Sequence, residues 1–147
     1  LQAGEDVVCR CEGDPFFYGS FMYLFARLSA RFEVEVVPGV TSITTCAARA
    51  GTRASPRNER LTVLPGPLPE DELRSRIEGA ESVVIMKVGR HLAKIRGVIE
   101  GLGLTDRAMY VERASLPDEV VCPLAEAPER APYFSMILLT KGADPWL

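Results

Sequence analysis

The sequence predicts an α/β protein of two lobes, the second carrying a mixed sheet, and three observations lead there. Short apolar runs of strand type alternate with stretches of helical period, proline and glycine clusters punctuate the junctions, and the end of the chain holds three strand candidates with no helical pattern between them. The chain has 147 residues, 47% of them apolar and 25% charged, the average for a globular domain, and is long enough for one ordinary domain or two small lobes.

Val7 to Glu12 reads as a short apolar strand, broken by Gly13, Asp14 and Pro15. Ser20 is a candidate cap for a helix whose stripe is Phe21, Met22, Leu24, Phe25 and Leu28, expected to pack on a sheet. Glu33 to Val37 is the next strand, stopped by Pro38 and Gly39. Thr41 or Ser42 then caps a helix with a small face of Cys46, Ala47 and Ala50, ended by Gly51. Thr52 to Arg60 is polar and cation-rich and reads as a linker.

A second cycle follows. Leu61 to Leu64 is a strand, Pro65-Gly66-Pro67 a breaker, and a helix starts from Pro69 with Glu70, Asp71 and Glu72 in its first turn, where the helix dipole favours anions. Ser82 to Lys87 is a β-branched strand of the buried kind, and Leu92, Ile95, Val98 and Ile99 mark a helix closed by Gly101. Arg107 to Glu112, Val120 to Pro123 and Phe134 to Thr140 are the closing strands, so this part of the sheet is expected to be antiparallel.

Composition narrows the function. A net charge of −3 has the wrong sign for a protein that holds nucleic acid through its phosphates. No apolar run approaches the roughly 20 residues that span a bilayer, and the acidic start lacks secretory character, so no membrane partner and a cytoplasmic location are expected. Four cysteines without Cys-x-x-Cys spacing and a single histidine give no zinc set, so no metal is expected, and no Ser-His-Asp triad. A Walker loop and a Gly-x-Gly-x-x-Gly run are also lacking.

In open α/β sheets ligands bind beyond the carboxyl ends of strands, which directs attention to the turns. Residues 12 to 20 combine two glycines, which let backbone approach a ligand, with Phe16, Phe17 and Tyr18 as flat surface. Residues 37 to 42 place two hydroxyls and exposed backbone N–H groups at a helix start, which suits an anionic or polar group. Ile85 to Gly89 ends a central strand with Met86 as a soft wall. Each also has a structural reading: Asp14 as an Asx turn, Thr41 and Ser42 as ordinary caps, Met86 as core.

Glu-Gly-Asp-Pro-Phe-Phe-Tyr-Gly-Ser at 12 to 20, Val-Pro-Gly-Val-Thr-Ser at 37 to 42, the strand ending in Met86 and Val-Glu-Arg-Ala-Ser at 111 to 115 resemble, in order and spacing, the tetrapyrrole (corrin/porphyrin) methylase family. The form of the first motif is similar to the precorrin-2 C20-methyltransferase members. The resemblance implies the latter part of a parallel-sheet first lobe over residues 1–57 and a complete second lobe over 58–147, as an N-terminally truncated chain that is a fragment inactive by itself. It further implies S-adenosylmethionine as methyl donor, S-adenosylhomocysteine as product, no protein-bound metal, a homodimer, and carbon 20 of precorrin-2 or its cobalt-loaded counterpart as acceptor. The donor site carried over is Glu12, Gly13, Asp14, Phe17, Thr41, Ser42, Met86 and Ala114, the last standing where the family has glycine. Arg53, Arg57 and Arg60 are candidate partners for acceptor carboxylates, or a solvated basic loop. A catalytic base is not assigned. A non-catalytic nucleoside-binding or oligomerisation domain, or a methylase of the same fold with another acceptor, remain the alternatives.

Overall fold

In the computed structural model residues 4–56 and 58–142 are described. The chain divides into two compact units, Leu1–Ser42 and Ile43–Leu147.

The first unit contains one helix, α1 (Phe21–Leu28), and no strand among its described residues. Ser20 precedes α1 in helical conformation and makes no side-chain cap bond, so the expected N-cap is only positional. The runs expected as strands, Val7 to Glu12 and Glu33 to Val37, belong to no ladder. A β-rich sequence forms a strand only against a partner, and here Val7, Val8 and Val37 stand 68%, 86% and 73% exposed. With no sheet in its own unit, the stripe of α1 meets an aromatic cluster instead: the Phe16 ring lies edge-on to Phe25 at 5.0 Å and to Phe21 at 6.1 Å.

The second unit is built on a five-stranded sheet of β1 (Leu61–Pro65), β2 (Ser82–Met86), β3 (Ala108–Glu112), β4 (Val120–Pro123) and β5 (Ser135–Thr140), in the order β1-β2-β5-β3-β4. β1 and β2 pair in parallel across the helix α3 (Glu70–Glu78), while β5 runs antiparallel to both β2 and β3, as β4 does to β3. The expected mixed sheet is therefore present. Leu64, Val83, Ile85, Tyr110, Ile137 and Leu139 share one face and form a single core with Leu73 and Ile77 of α3 and Leu92, Ile95, Val98 and Ile99 of α4 (Leu92–Gly101). α4 ends at Gly101, the expected stop. Gly103 takes the left-handed conformation (φ 67°), and Leu104 and Gly103 donate to the carbonyls of Ile99 and Glu100 in a Schellman closure. α2 (Ser42–Arg49) closes in the same way at Gly51, with Thr52 and Gly51 bonding to Ala47 and Ala48.

The segment expected as a linker is docked instead. Ser82 donates to the Glu59 carboxylate at 2.8 Å, and Thr140 donates to the Arg53 carbonyl at 3.2 Å, so Arg53 and Glu59 tie this segment to β5 and β2 through polar groups. Apolar content alone gave no sign of this, since the contacts are hydrogen bonds.

Candidate donor-binding turns

Two of the turns singled out from the sequence meet within the first unit. The Asp14 carboxylate accepts from the Phe16 N–H through one oxygen and from the Gly39 N–H through the other, both at 2.9 Å. These bonds, the one from Gly39 foremost, hold its carboxyl below the ordinary aspartate range. Residues 12–20 and 37–42 thus form one assembly with Asp14 as clasp, and its Asx-turn reading is the geometry found. The contact leaves no space at Gly39, where a Cβ would lie 2.0 Å from the Gly13 carbonyl oxygen. Gly39 was legible only as a strand stop; its role as a close-approach glycine needed the neighbouring turn. Around this clasp Glu12, Gly13 and Ser42 are exposed and Phe17 and Thr41 half-buried, with the Phe17 and Tyr18 rings 5.1 Å apart.

The other two turns lie in the second unit. Met86 ends β2, 7% exposed, opposite Met136 of β5, which in turn faces Val111 of β3. Gly66 backs this turn: it donates to the Met86 carbonyl at 2.8 Å, and a Cβ there would stand 2.7 Å from the Lys87 oxygen. Ala114 sits between Arg113 and Ser115, both with positive φ. Arg113 pairs with Asp118 at 2.8 Å, and the Ser115 N–H donates to Glu119 at 2.5 Å. Glu119 also takes a two-pronged bond from Arg49 of α2 (2.6–2.9 Å), which holds its carboxyl below the usual range. The Ala114 turn is fixed from both sides by charge-assisted bonds.

Among the described residues, the four non-glycine positions with positive φ are Tyr18, Lys87, Arg113 and Ser115. All lie in or beside the motif turns. Such conformations cost of order 1–3 kcal/mol each and gather at functional sites.

Behind the Ala114 turn is a buried polar group that sequence reasoning missed. The Tyr110 hydroxyl, fully buried, donates to Glu112 at 2.5 Å, and burial together with that carboxylate pushes its pKa up. Ser135, opposite Glu112 in the register, accepts from the Gly89 N–H at 3.2 Å and donates to the Pro132 carbonyl at 2.6 Å. The signal was available: Tyr110 and Glu112 alternate onto one face, and a carboxylate on the inner face of an apolar strand requires a donor.

Of the candidate acceptor cations, Arg60 is already engaged. Arg60 meets Glu81 through its backbone N–H (2.6 Å) and its guanidinium (3.5 Å), with Arg53 half-buried in the docked segment. Arg57 lies outside the described residues. Among the described residues no cluster of three or more His, Cys, Asp or Glu side chains could hold a metal, and no helix is long and apolar enough to cross a membrane.

An α/β fold with a mixed sheet is a general frame; the family follows from comparison. The chain belongs to the Tetrapyrrole (Corrin/Porphyrin) Methylases, whose family model matches residues 1–128. It is 46% identical over 145 residues to a precorrin-2 C(20)-methyltransferase of Sinorhizobium sp, covering 98% of this chain and 59% of that protein. It is 32% identical over 144 residues to a cobalt-precorrin-2 C(20)-methyltransferase of Salmonella typhimurium, covering 96% of this chain and 61% of that protein. A solved uroporphyrin-III C-methyl transferase from Thermus thermophilus, complexed with S-adenyl homocysteine, superposes with a TM-score of 0.60 at 26% identity, over 88% of this chain and 63% of that one. The chain thus spans about three fifths of the length of these relatives.

Proposed function

We propose that the chain is the donor-binding part of an S-adenosylmethionine-dependent methyltransferase acting on carbon 20 of precorrin-2, or of its cobalt-loaded form, in cobalamin biosynthesis. The observation that carries this reading is the 46% identity to a precorrin-2 C(20)-methyltransferase across 98% of the chain. In the same reading the lobes run over residues 1–57 and 58–147, the working protein is a cytoplasmic homodimer, and the reaction belongs to a longer protein that contains this chain.

In the same reading Glu12, Gly13, Phe17, Thr41, Ser42, Met86 and Ala114 contribute to donor binding. The residues suit such a ligand. Gly13 and Ala114 add little bulk over backbone, the start of α2 offers hydroxyls and N–H groups, and Met86 gives an adaptable apolar surface. Asp14 has both oxygens bound to backbone N–H groups, so its part is to set the loop's shape. When bound, S-adenosylmethionine supplies an electrophilic methyl on a sulfonium sulfur. The acceptor carbon supplies the electron pair, so the protein's work is alignment, which is worth roughly 7–11 kcal/mol of barrier when geometry is held. Arg53, Arg57 and Arg60 would meet acceptor carboxylates, Arg60 by exchanging Glu81 for them.

Calorimetric titration with S-adenosylhomocysteine tests the donor site. Micromolar binding, abolished by Gly13→Trp and by Met86→Arg, is the expected result. Binding that survives both substitutions would place the nucleoside elsewhere.

A further inference from the structure

The Ala114 turn is strained in a way that its own sequence does not relieve. Arg113 and Ser115, on either side of Ala114, both lie in the left-handed region, with φ of 49° and 67°. Glycine occupies that region freely, whereas a residue with a side chain strains the backbone there, and such strain persists only where surrounding bonds fix it. Those bonds converge on a residue that the sequence motifs did not single out. Glu119 accepts from the Ser115 N–H at 2.5 Å and from Arg49 Nε and Nη2 at 2.6–2.9 Å.

Arg49 is the last residue of α2, the helix that starts at Ser42. Cys46, about one turn earlier, is buried, its thiol pushed up to about 11 by burial and then by the Glu119 charge. One carboxylate thus ties the end of α2 to the strained turn, 70 residues further along the chain. The turn also folds back on itself, the Leu116 N–H bonding to the Arg113 carbonyl at 2.9 Å and the Glu119 N–H to the Leu116 carbonyl at 3.1 Å, which fixes where the carboxylate stands. The Arg49 side chain is 53% exposed, and a pair so open to water adds little to stability. What the pair does is set the shape of the turn.

We propose that Glu119 is a positioning residue for the methyl donor: through the Ser115 N–H and Arg49 it keeps the Ala114 turn in the conformation that receives the nucleoside. The inference rests on the donor-binding reading above. A turn free to relax is competent for only part of the time, and apparent affinity falls by that fraction.

The test compares the chain with Glu119→Ala, Glu119→Gln and Arg49→Gln. S-adenosylhomocysteine affinity is read by calorimetry, the turn by the Ser115 amide shift, and folding by the thermal midpoint. Glu119→Ala should weaken binding by about five-fold or more and move the Ser115 amide, with the midpoint lowered by no more than about 4 °C. Glu119→Gln, whose amide oxygen still accepts from Ser115, should keep most of the affinity, and Arg49→Gln should fall between the two. The role is overturned if Glu119→Ala binds the nucleoside as tightly as the wild type, if affinity falls while the Ser115 amide stays in place, or if Glu119→Gln loses as much as Glu119→Ala. A wild-type chain with no affinity for the nucleoside would instead defeat the donor-binding reading itself, and the role of Glu119 with it.

Discussion

Two helices with the same kind of apolar stripe have opposite fates in the two units. In α4, Leu92, Ile95, Val98 and Ile99 are at most 2% exposed, whereas α1 has no buried residue at all. The strand-like runs differ in the same way: Val84 of β2 is fully buried, and Val8 is 86% exposed. Periodicity reports what a segment can bury; whether it does so depends on a partner surface that local sequence does not contain. Residues 12–20 and 37–42 are held together with no strand among the described residues of the first unit, because the Asp14 clasp needs two backbone N–H groups and one glycine and no core.

The largest effect that sharpens this contrast is truncation of the core. Ile85→Ala should cost about 2–5 kcal/mol by denaturant unfolding, and Phe25→Ala in the first unit roughly 1 kcal/mol or less; equal costs would erase the distinction between the units. Next in size is Gly39→Ala, whose Cβ would overlap the Gly13 carbonyl oxygen. Overpacking of about 1–3 kcal/mol should open the two turns, seen as loss of the bonded Gly39 amide shift, while the sheet's unfolding midpoint stays where it was.

Smaller again is Glu119→Gln, which removes a partly exposed pair with Arg49 and should lower stability by about 0.2–1 kcal/mol. The smallest effect is one of pH. Because the folded-state pKa of Asp14 is depressed, its contribution is complete above the ordinary aspartate value and is lost as pH falls through the depressed one. The Gly39 amide shift should follow that acid titration, and Asp14→Asn should flatten it.

Much of the second unit was legible in advance. The Ser82–Met86 strand, the α4 stripe and the antiparallel end of the sheet follow from period, β-branching and the lack of a crossover helix. What escaped was non-local: the docking of Thr52 to Arg60 by hydrogen bonds, the Tyr110–Glu112–Ser135 group and the closeness of Gly39 to Gly13, each needing two distant segments in place. The motif turns were visible because their glycines, prolines and hydroxyls act locally. The family's donor could be suggested by resemblance, since no side chain here dictates a nucleoside.

Hydrogen exchange of the chain with and without S-adenosylhomocysteine tests the central claim, that a packed sheet and a pair of turns clasped outside any strand ladder belong to one donor-binding chain. Amides of β1 to β5 should be protected in both conditions and those of 7–12 and 33–37 should exchange rapidly, while the ligand slows exchange in 13–17, 39–42 and 86–89. Strong protection of 7–12 and 33–37 in the free chain, or no ligand effect at any of these turns, would contradict it.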